Sequence, residues 1–145
     1  MREILFRGQT RRYGEKVKMN GEKVPSNWVY GGVCQGKGDF SIIYGSMDMG
    51  LEQPTEKRVV YTDTIGQYTG LTDKNGTKIF EGDIVNFKTI NYHFKNCRIK
   101  YQSCYARYCA IDNKGYEYPM DKTFEYEVIG NIYDNPELLK NEVTE

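Results

Sequence analysis

The residues with the clearest chemical potential form a basic stretch interleaved with tyrosines. No acidic residue lies between Asp83 and Asp112. The cations of this window are Lys88, Lys95, Arg98, Lys100 and Arg107, and its tyrosines are Tyr92, Tyr101, Tyr105 and Tyr108. Basic side chains neutralise phosphate groups and aromatic rings stack on bases, so this composition is typical of a nucleic-acid contact.

Strand alternation sharpens that hypothesis. It places Arg98 and Lys100 on one face of one strand, and Arg107 can join them from a paired neighbour. The candidate contacts are therefore Arg98, Lys100, Tyr101, Tyr105 and Arg107. A second basic stretch comprises Arg2, Arg7, Arg11, Arg12, Lys16 and Lys18. The competing interpretation is a solvated outer face whose lysines protect strand edges from unwanted pairing.

Catalytic chemistry has little support in the sequence. His93 is the single histidine, so no serine has a paired base in a recognisable motif. Glu81 and Asp83 flank Gly82, which indicates a bend in which carboxylates bond backbone groups or water. The glycine spacing matches no phosphate-binding loop. We predict no enzyme, no cofactor and no catalytic or metal-binding residue.

The four cysteines are Cys34, Cys97, Cys104 and Cys109. Zinc sites need closely paired ligands such as C-x2-C, and these spacings do not supply them. The cysteines are predicted to be reduced thiols, with neither a disulfide nor a zinc ion.

Composition limits the class of protein. The 145 residues carry a net charge of +0 and are 39% hydrophobic, with 13 tyrosines and 15 glycines. No apolar run approaches the roughly 18 residues needed to cross a bilayer, so we expect a cytoplasmic protein without membrane contact. A modest core in a small domain favours oligomerisation, because association buries more apolar surface.

Turn chemistry predicts three hairpins. Asn20-Gly21, Asp73-Lys74-Asn75-Gly76 and Asn113-Lys114-Gly115 each separate β-forming segments. Asn tolerates left-handed dihedral angles and Gly adopts them without a steric cost, so these positions favour tight reversals.

Alternation predicts antiparallel strands with one wet face. Cys97, Ile99 and Tyr101 should share one side of a strand. Phe124, Tyr126, Val128 and Ile132 should face inward on another, with Glu125 and Glu127 toward water. A bend at Glu81-Gly82-Asp83, a meander and a closing strand at residues 126–132 predict an SH3-like barrel.

The predicted fold is mainly β, or α+β at most, with antiparallel sheets. Residues 1–60 form an N-terminal β-segment, in which Trp28 is expected in the core. Residues 61–145 form the C-terminal SH3-like barrel, and one compact domain is the alternative. Residues 47–57 are predicted to be a loop. A short C-terminal helix is expected, capped by Asn135 with Pro136 in its first turn, before a frayed tail at residues 140–145.

Three segments resemble one known family. They are MREILFR at residues 1–7, IGQYTGLTDKNGTKIFEGDIV at residues 65–85 and YEVIGNIYDNPELL at residues 126–139. Together they resemble the YopX family, small proteins encoded mainly by phages and prophages of Gram-positive bacteria. The resemblance implies a phage or prophage setting in a bacterial host, and it supplies no activity or site residues.

Two classes of function remain. A protein-interaction or assembly module, acting as a homo-oligomer or with a protein partner, is favoured by the tyrosine-rich strands and balanced charge. A nucleic-acid-binding accessory protein is favoured by the basic window. A continuous basic groove would support the second class, and a large apolar patch would support the first.

Overall fold

The computed structural model describes residues 2–12, 27–45 and 57–140. The Asn20-Gly21 turn, Lys16, Lys18, nearly all of the predicted loop at 47–57 and the tail beyond Lys140 lie outside these ranges. The chain divides into two compact units, Met1–Tyr68 and Thr69–Glu145.

The first unit is an antiparallel sheet. Its strands are β1 (Phe6–Arg11), β2 (Asn27–Cys34), β3 (Phe40–Gly45), β4 (Lys57–Tyr61) and the first part of β5 (Gly66–Thr72), and a 3-10 helix, Thr62–Thr64, precedes β5. The strand order is β4-β3-β2-β1-β5. This segment is therefore a folded sheet with its own interior.

Strand β4 returns to lie against β1. Ile43 and Val60 are fully buried, and a Cβ on Gly8 would lie 2.9 Å from the Val60 Cβ. The Gln9 backbone N–H donates to the Thr64 hydroxyl at 2.9 Å. Only glycine fits at position 8, because any side chain there would meet Val60.

The second unit contains a five-stranded antiparallel sheet and one short strand that pairs outside it. It comprises β6 (Lys78–Phe80), β7 (Asp83–Lys88), β8 (His93–Gln102), β9 (Arg107–Ile111), β10 (Glu117–Pro119) and β11 (Glu125–Asn131). The last five follow the order β10-β9-β8-β7-β11, and β6 neighbours β5. The core contains Ile79, Val85, Phe87, Cys97, Ile99, Ala110 and Tyr126.

The two units share one strand order. In each, four strands form a meander and a fifth returns antiparallel to the first. In each, a single turn precedes the fifth strand: Ile65 N–H donates to Thr62 O at 3.2 Å, and Phe124 N–H donates to Asp121 O at 3.1 Å. The sequence shows no repeat that would predict this correspondence.

The prediction of a mainly β chain with antiparallel sheets is confirmed. The predicted closing strand pairs with β7, as a meander with a closing strand requires. Among the described strands, however, β10 and β11 lie at opposite edges, so the second sheet is not closed into a barrel by hydrogen bonds. The SH3-like assignment therefore rests on strand order.

Two predicted turns are present. Asp73 begins the reversal between β5 and β6, and its carboxylate accepts from the N–H groups of Asn75 and Thr77 at 2.9 Å. Gly76 has φ of 83° and Gly115 has φ of 89°, the left-handed region that favours glycine. The bend at Glu81 and Gly82 leads directly into β7, as predicted.

The alternation in β11 is also confirmed. Phe124, Tyr126 and Val128 belong to the core or pack against it. Glu125 and Glu127 point outward into ion pairs with Lys88 and Lys74. Ile132 follows the end of the strand, beyond a register shift between Val128 and Gly130, and is half-buried.

Three local expectations need correction. The C-terminal helix is a single 3-10 turn, Pro136–Leu139, and Asn135 does not cap it, because its side chain accepts from Asn131 N–H instead. Trp28 is half-buried rather than part of the core, with the Arg7 guanidinium 4.5 Å from its ring centre. Tyr101 shares the side of Cys97 and Ile99 but is exposed, because it lies near the end of β8.

Candidate binding surfaces

The predicted cations of the second unit do share one side of the sheet. Lys100 pairs with Cys109 and Gln102 pairs with Arg107 across β8 and β9. Directly paired residues project to the same side, so Arg98, Lys100 and Arg107 form one exposed basic face. This is the arrangement that alternation predicts.

The two predicted tyrosines separate. Tyr105 lies in the turn between β8 and β9, is 59% exposed, and has the Arg107 guanidinium 4.6 Å from its ring centre. Tyr101 pairs with Tyr108, with ring centres 5.1 Å apart, on the opposite side of the sheet. Only Tyr105 therefore accompanies the basic face.

Acidic residues interrupt this basic face and its surroundings. Glu117 pairs with Ile111, which pairs with Arg98, so its carboxylate lies on the same side. Glu117 also accepts a hydrogen bond from the side-chain amide of Gln102. Lys88 forms an ion pair with Glu125 at 2.9 Å, and this lowers the pKa of Glu125. The acid-free window of the sequence is therefore not an acid-free surface, because neighbouring strands supply carboxylates.

A shallow depression of 170 Å³ surrounds His93. It is lined by Lys74, Asn86, Phe87, Lys88, His93, Phe94, Lys95, Glu125, Tyr126 and Glu127. Two ion pairs, Lys74–Glu127 at 2.6 Å and Lys88–Glu125 at 2.9 Å, involve four of its charged groups. These exposed pairs stabilise the sheet surface only slightly and leave no paired nucleophile and base.

The carboxylates of the bend and the cysteines do not form a catalytic or metal-binding arrangement among the described residues. Asp83 accepts from Phe80 N–H at 2.7 Å, and Glu81 accepts from Tyr101 N–H at 3.3 Å. Cys97 and Cys109 are buried, whereas Cys34 and Cys104 are exposed. Over residues 2–12, 27–45 and 57–140, no group of three or more His, Cys, Asp or Glu side chains could hold a metal ion.

The first unit carries an exposed apolar surface that the sequence analysis did not predict. Across three strands, paired residues place six apolar or aromatic side chains on one side. Alternation along β2 adds Tyr30 to the same side. This apolar face comprises Tyr30, Cys34, Phe40, Ile42, Tyr44, Val59 and Tyr61. Three of its members are strongly exposed: Phe40 is 54%, Val59 58% and Tyr30 47% accessible.

Cations lie over the aromatic rings at both ends of the apolar face. Lys57 Nζ lies 5.7 Å from the Tyr44 ring centre. At the other end, the Arg12 guanidinium lies 4.2 Å from the Tyr61 ring centre and donates to Asp63 at 3.0 Å. The hydrogen bond to Asp63 raises the pKa of Arg12 and outweighs the opposing effect of burial, and the charge of that carboxylate adds to the rise.

The sequence does contain a signal for this face. Ile42 and Ile43 are adjacent, as are Val59 and Val60, and adjacent residues of a strand point to opposite sides. Ile43 and Val60 are buried inside the unit. Their neighbours must therefore project outward, so two such pairs indicate a sheet that is apolar on both sides.

The family model of the YopX protein matches residues 15–140. The chain belongs to the YopX family. A similar solved structure is titled "Crystal structure of protein EF1440 from Enterococcus faecalis"; it is 23% identical, the match covers 97% of this chain and 100% of that chain, and the TM-score is 0.47. No curated protein matches the chain.

Both surfaces of this YopX-family chain lie inside the matched residues, since the apolar face spans residues 30–61 and the basic face spans residues 98–107. Among the described residues, no helix is long and apolar enough to cross a membrane.

Proposed function

We propose that the chain is a non-enzymatic phage or prophage accessory protein that acts in the host cytoplasm by binding protein through the apolar face. The observation that supports this most directly is the exposure of Phe40, Val59 and Tyr30 on one contiguous sheet surface.

Exposed apolar surface of this kind favours a protein partner. Single exposed apolar residues are ordinary, but contiguous patches mark interaction sites because water solvates them poorly. Tyrosine, phenylalanine and arginine are enriched at protein interfaces, and lysine is depleted from their centres. The centre of this face is Cys34, Ile42 and Val59, and its cations lie at the ends.

Site-specific photo-crosslinking tests the proposal. Replacing Phe40 with p-benzoylphenylalanine preserves an aromatic ring and places a photoreactive group on the apolar face, next to its central row. A matched control carries the same group at Tyr92, which is exposed in the second unit. We expect protein adducts from position 40 and few from position 92 after illumination of bacterial cells. Equal yields at both positions, or none at position 40, would contradict the proposal.

Nucleic-acid binding is the second candidate function, and one observation favours it. Arg107 stacks on the exposed Tyr105 beside Arg98 and Lys100. That pairing could hold a base while the other cations contact phosphates. The acidic neighbours of this face make it the weaker candidate.

Fluorescence anisotropy with labelled single and double strands tests this second candidate. If the basic face binds, a triple variant with Arg98→Ala, Lys100→Ala and Arg107→Ala should reduce the slope of log affinity against log salt by up to about 3, roughly 1 per lost phosphate contact. Equal binding by the wild type and the triple variant would exclude this face.

A further inference from the structure

We infer that the partner bound by the apolar face is a second copy of the same chain, related by a two-fold axis that passes Ile42 and runs across the strands. This inference rests on the proposed function and adds the identity and geometry of the partner. The inference is based on three rows of residues across the face. When a second copy is turned over with its strands reversed, its rows are complementary to those of the first copy.

The face has a central row and two flanking rows. Cys34, Ile42 and Val59 form the centre. Phe40 and Tyr61 form one flanking row. Gly32, Tyr44 and Lys57 form the other. Each flanking row is two residues from the centre along β3, which is about 6.7 Å in an extended strand.

A two-fold axis lying in the contact plane, along the central row, reverses each strand against its own copy. Phe40 of one copy then faces Tyr44 of the other, and Ile42 meets Ile42. Because both flanking rows are equally distant from the axis, the two contacts form simultaneously. The interface therefore closes as a dimer and does not continue into a filament.

The shape of the flanking rows suits this reversal. Gly32 is exposed, and a Cβ placed there would have no atom within 4 Å. The missing side chain leaves a depression beside Tyr44. The ring of Phe40, which is more than half exposed, can enter that depression on the opposite copy.

The charges of the two ends are also complementary. Lys57 is exposed at the Tyr44 end. Among the described residues, the Tyr61 end carries two exposed carboxylates and one cation. Asp63 is paired with Arg12 at 3.0 Å, and Thr62 N–H donates to the Asp39 carbonyl, which places the second carboxylate beside them. This end therefore keeps a net negative charge. Reversal brings the ammonium of Lys57 to the end of the other copy that holds these carboxylates. Opposite charges at an interface rim favour this register over the one in which the strands are not reversed.

Sedimentation equilibrium of the full chain tests the inference. We expect a dimer for the wild type and at least tenfold weaker association for Val59→Lys, because two ammonium groups would then meet at the axis. Val59 is mostly exposed in the single chain, so the variant should fold, and circular dichroism checks this. Ile90→Lys, at a fully exposed position in the second unit, is the matched control and should associate like the wild type.

Thiol crosslinking tests the position of the axis. In a Cys104→Ser background, Cys34 is the remaining exposed thiol. Because Cys34 lies in the central row, it faces Cys34 of the other copy, and a short bifunctional maleimide should link them. A Cys34→Ser, Cys104→Ser, Ile90→Cys variant measures random collision and should give little product. Equal yields from the two would overturn the proposed axis.

Failure of this inference is distinguishable from failure of the proposed function. A wild type that stays monomeric at about 100 µM, some hundredfold above a micromolar Kd, or a Val59→Lys variant that associates normally, overturns the second copy as partner. If position 40 still crosslinks to another protein in cells, the proposed function stands. If position 40 yields no protein adduct, the proposed function fails as well.

Discussion

At the scale of single residues, Asp73 is the side chain whose removal should harm the fold most clearly. It is buried, and besides its two bonds within the turn it accepts from Val128 N–H at 3.1 Å. We expect Asp73→Ala to lower the free energy of unfolding by about 2 to 4 kcal/mol, because backbone donors would lose their acceptor. Urea denaturation measures the change.

A matched control is available in the other hairpin. Asp112 is half-buried; it accepts from the N–H groups of Lys114 and Tyr116 in an exposed turn and from the Tyr118 hydroxyl at 3.0 Å. Asp112→Ala should cost less than Asp73→Ala, because water can replace the lost acceptor. If the two variants are equally destabilised, burial is not what makes Asp73 important.

The same carboxylate predicts a pH dependence. Burial alone would raise the pKa of Asp73, but the hydrogen bonds from Val128, Thr77 and Asn75 outweigh it and lower the pKa below 3.8. Unfolded Asp73 therefore binds a proton at a higher pH than folded Asp73 does. Its contribution to stability is complete above the unfolded pKa and is lost as pH falls through the folded one. Asp73→Asn should flatten the decline of stability in that acidic range.

Cysteine reactivity is a second test at this scale. Burial, followed by the charge of Asp112, raises the pKa of Cys97 to about 12, and Cys109 is buried as well. At pH 8 we expect Cys34 and Cys104 to react quickly with a thiol reagent and the other two to react slowly. Denaturant should expose all four thiols. If fewer than four thiols react in denaturant, the prediction that the chain has no disulfide is contradicted.

Features of single residues were predictable where they depend on residues that are close in the sequence. The Asp73 turn follows from four consecutive residues, and the shared side of Arg98 and Lys100 follows from alternation. The position of Glu117 beside Arg98 was not predictable, because it depends on how β8, β9 and β10 pair. Local patterns specify which side a residue faces, whereas register specifies its neighbours across strands.

At the scale of elements, the contact between β1 and β4 should be sensitive to volume. Gly8→Val would place side-chain atoms where the Val60 side chain lies, 2.9 Å from a Cβ. We expect a loss of about 1 to 3 kcal/mol from overpacking. Gly32→Ala, compared with Gly8→Val on protein too dilute to associate, is the control, because a Cβ there meets nothing within 4 Å of the same chain. Thermal unfolding that is equal for both variants would contradict the close approach of β4 to β1.

The strands themselves were easier to predict than their partners. Turn residues and alternation located the strands of the second unit, because the signals for a reversal and for a half-buried strand are local. The first unit was read as a β-segment, although it has the same strand order as the second. Neither a long connection nor a strand that is apolar on both sides indicates which strands will be neighbours. The shared strand order could therefore be seen only in the structure.

At the scale of the whole molecule, the proposed function depends on a comparison of the apolar face with the basic face. The basic face has carboxylates from neighbouring strands beside it, whereas the apolar face has an uncharged centre with cations at its ends. Whole-chain charge did not reveal this, because a net charge of +0 averages over both.

Hydroxyl-radical footprinting tests the central claim, that the apolar face binds protein, without knowledge of the partner. The chain is oxidised in bacterial cells and, separately, as dilute purified protein, and modification is measured residue by residue. We predict that Phe40 and Tyr30 are protected in cells, while the exposed Tyr92 and Tyr105 of the second unit are oxidised equally in both samples. Protection of Tyr105 without protection of Phe40 would contradict the account and favour the basic face.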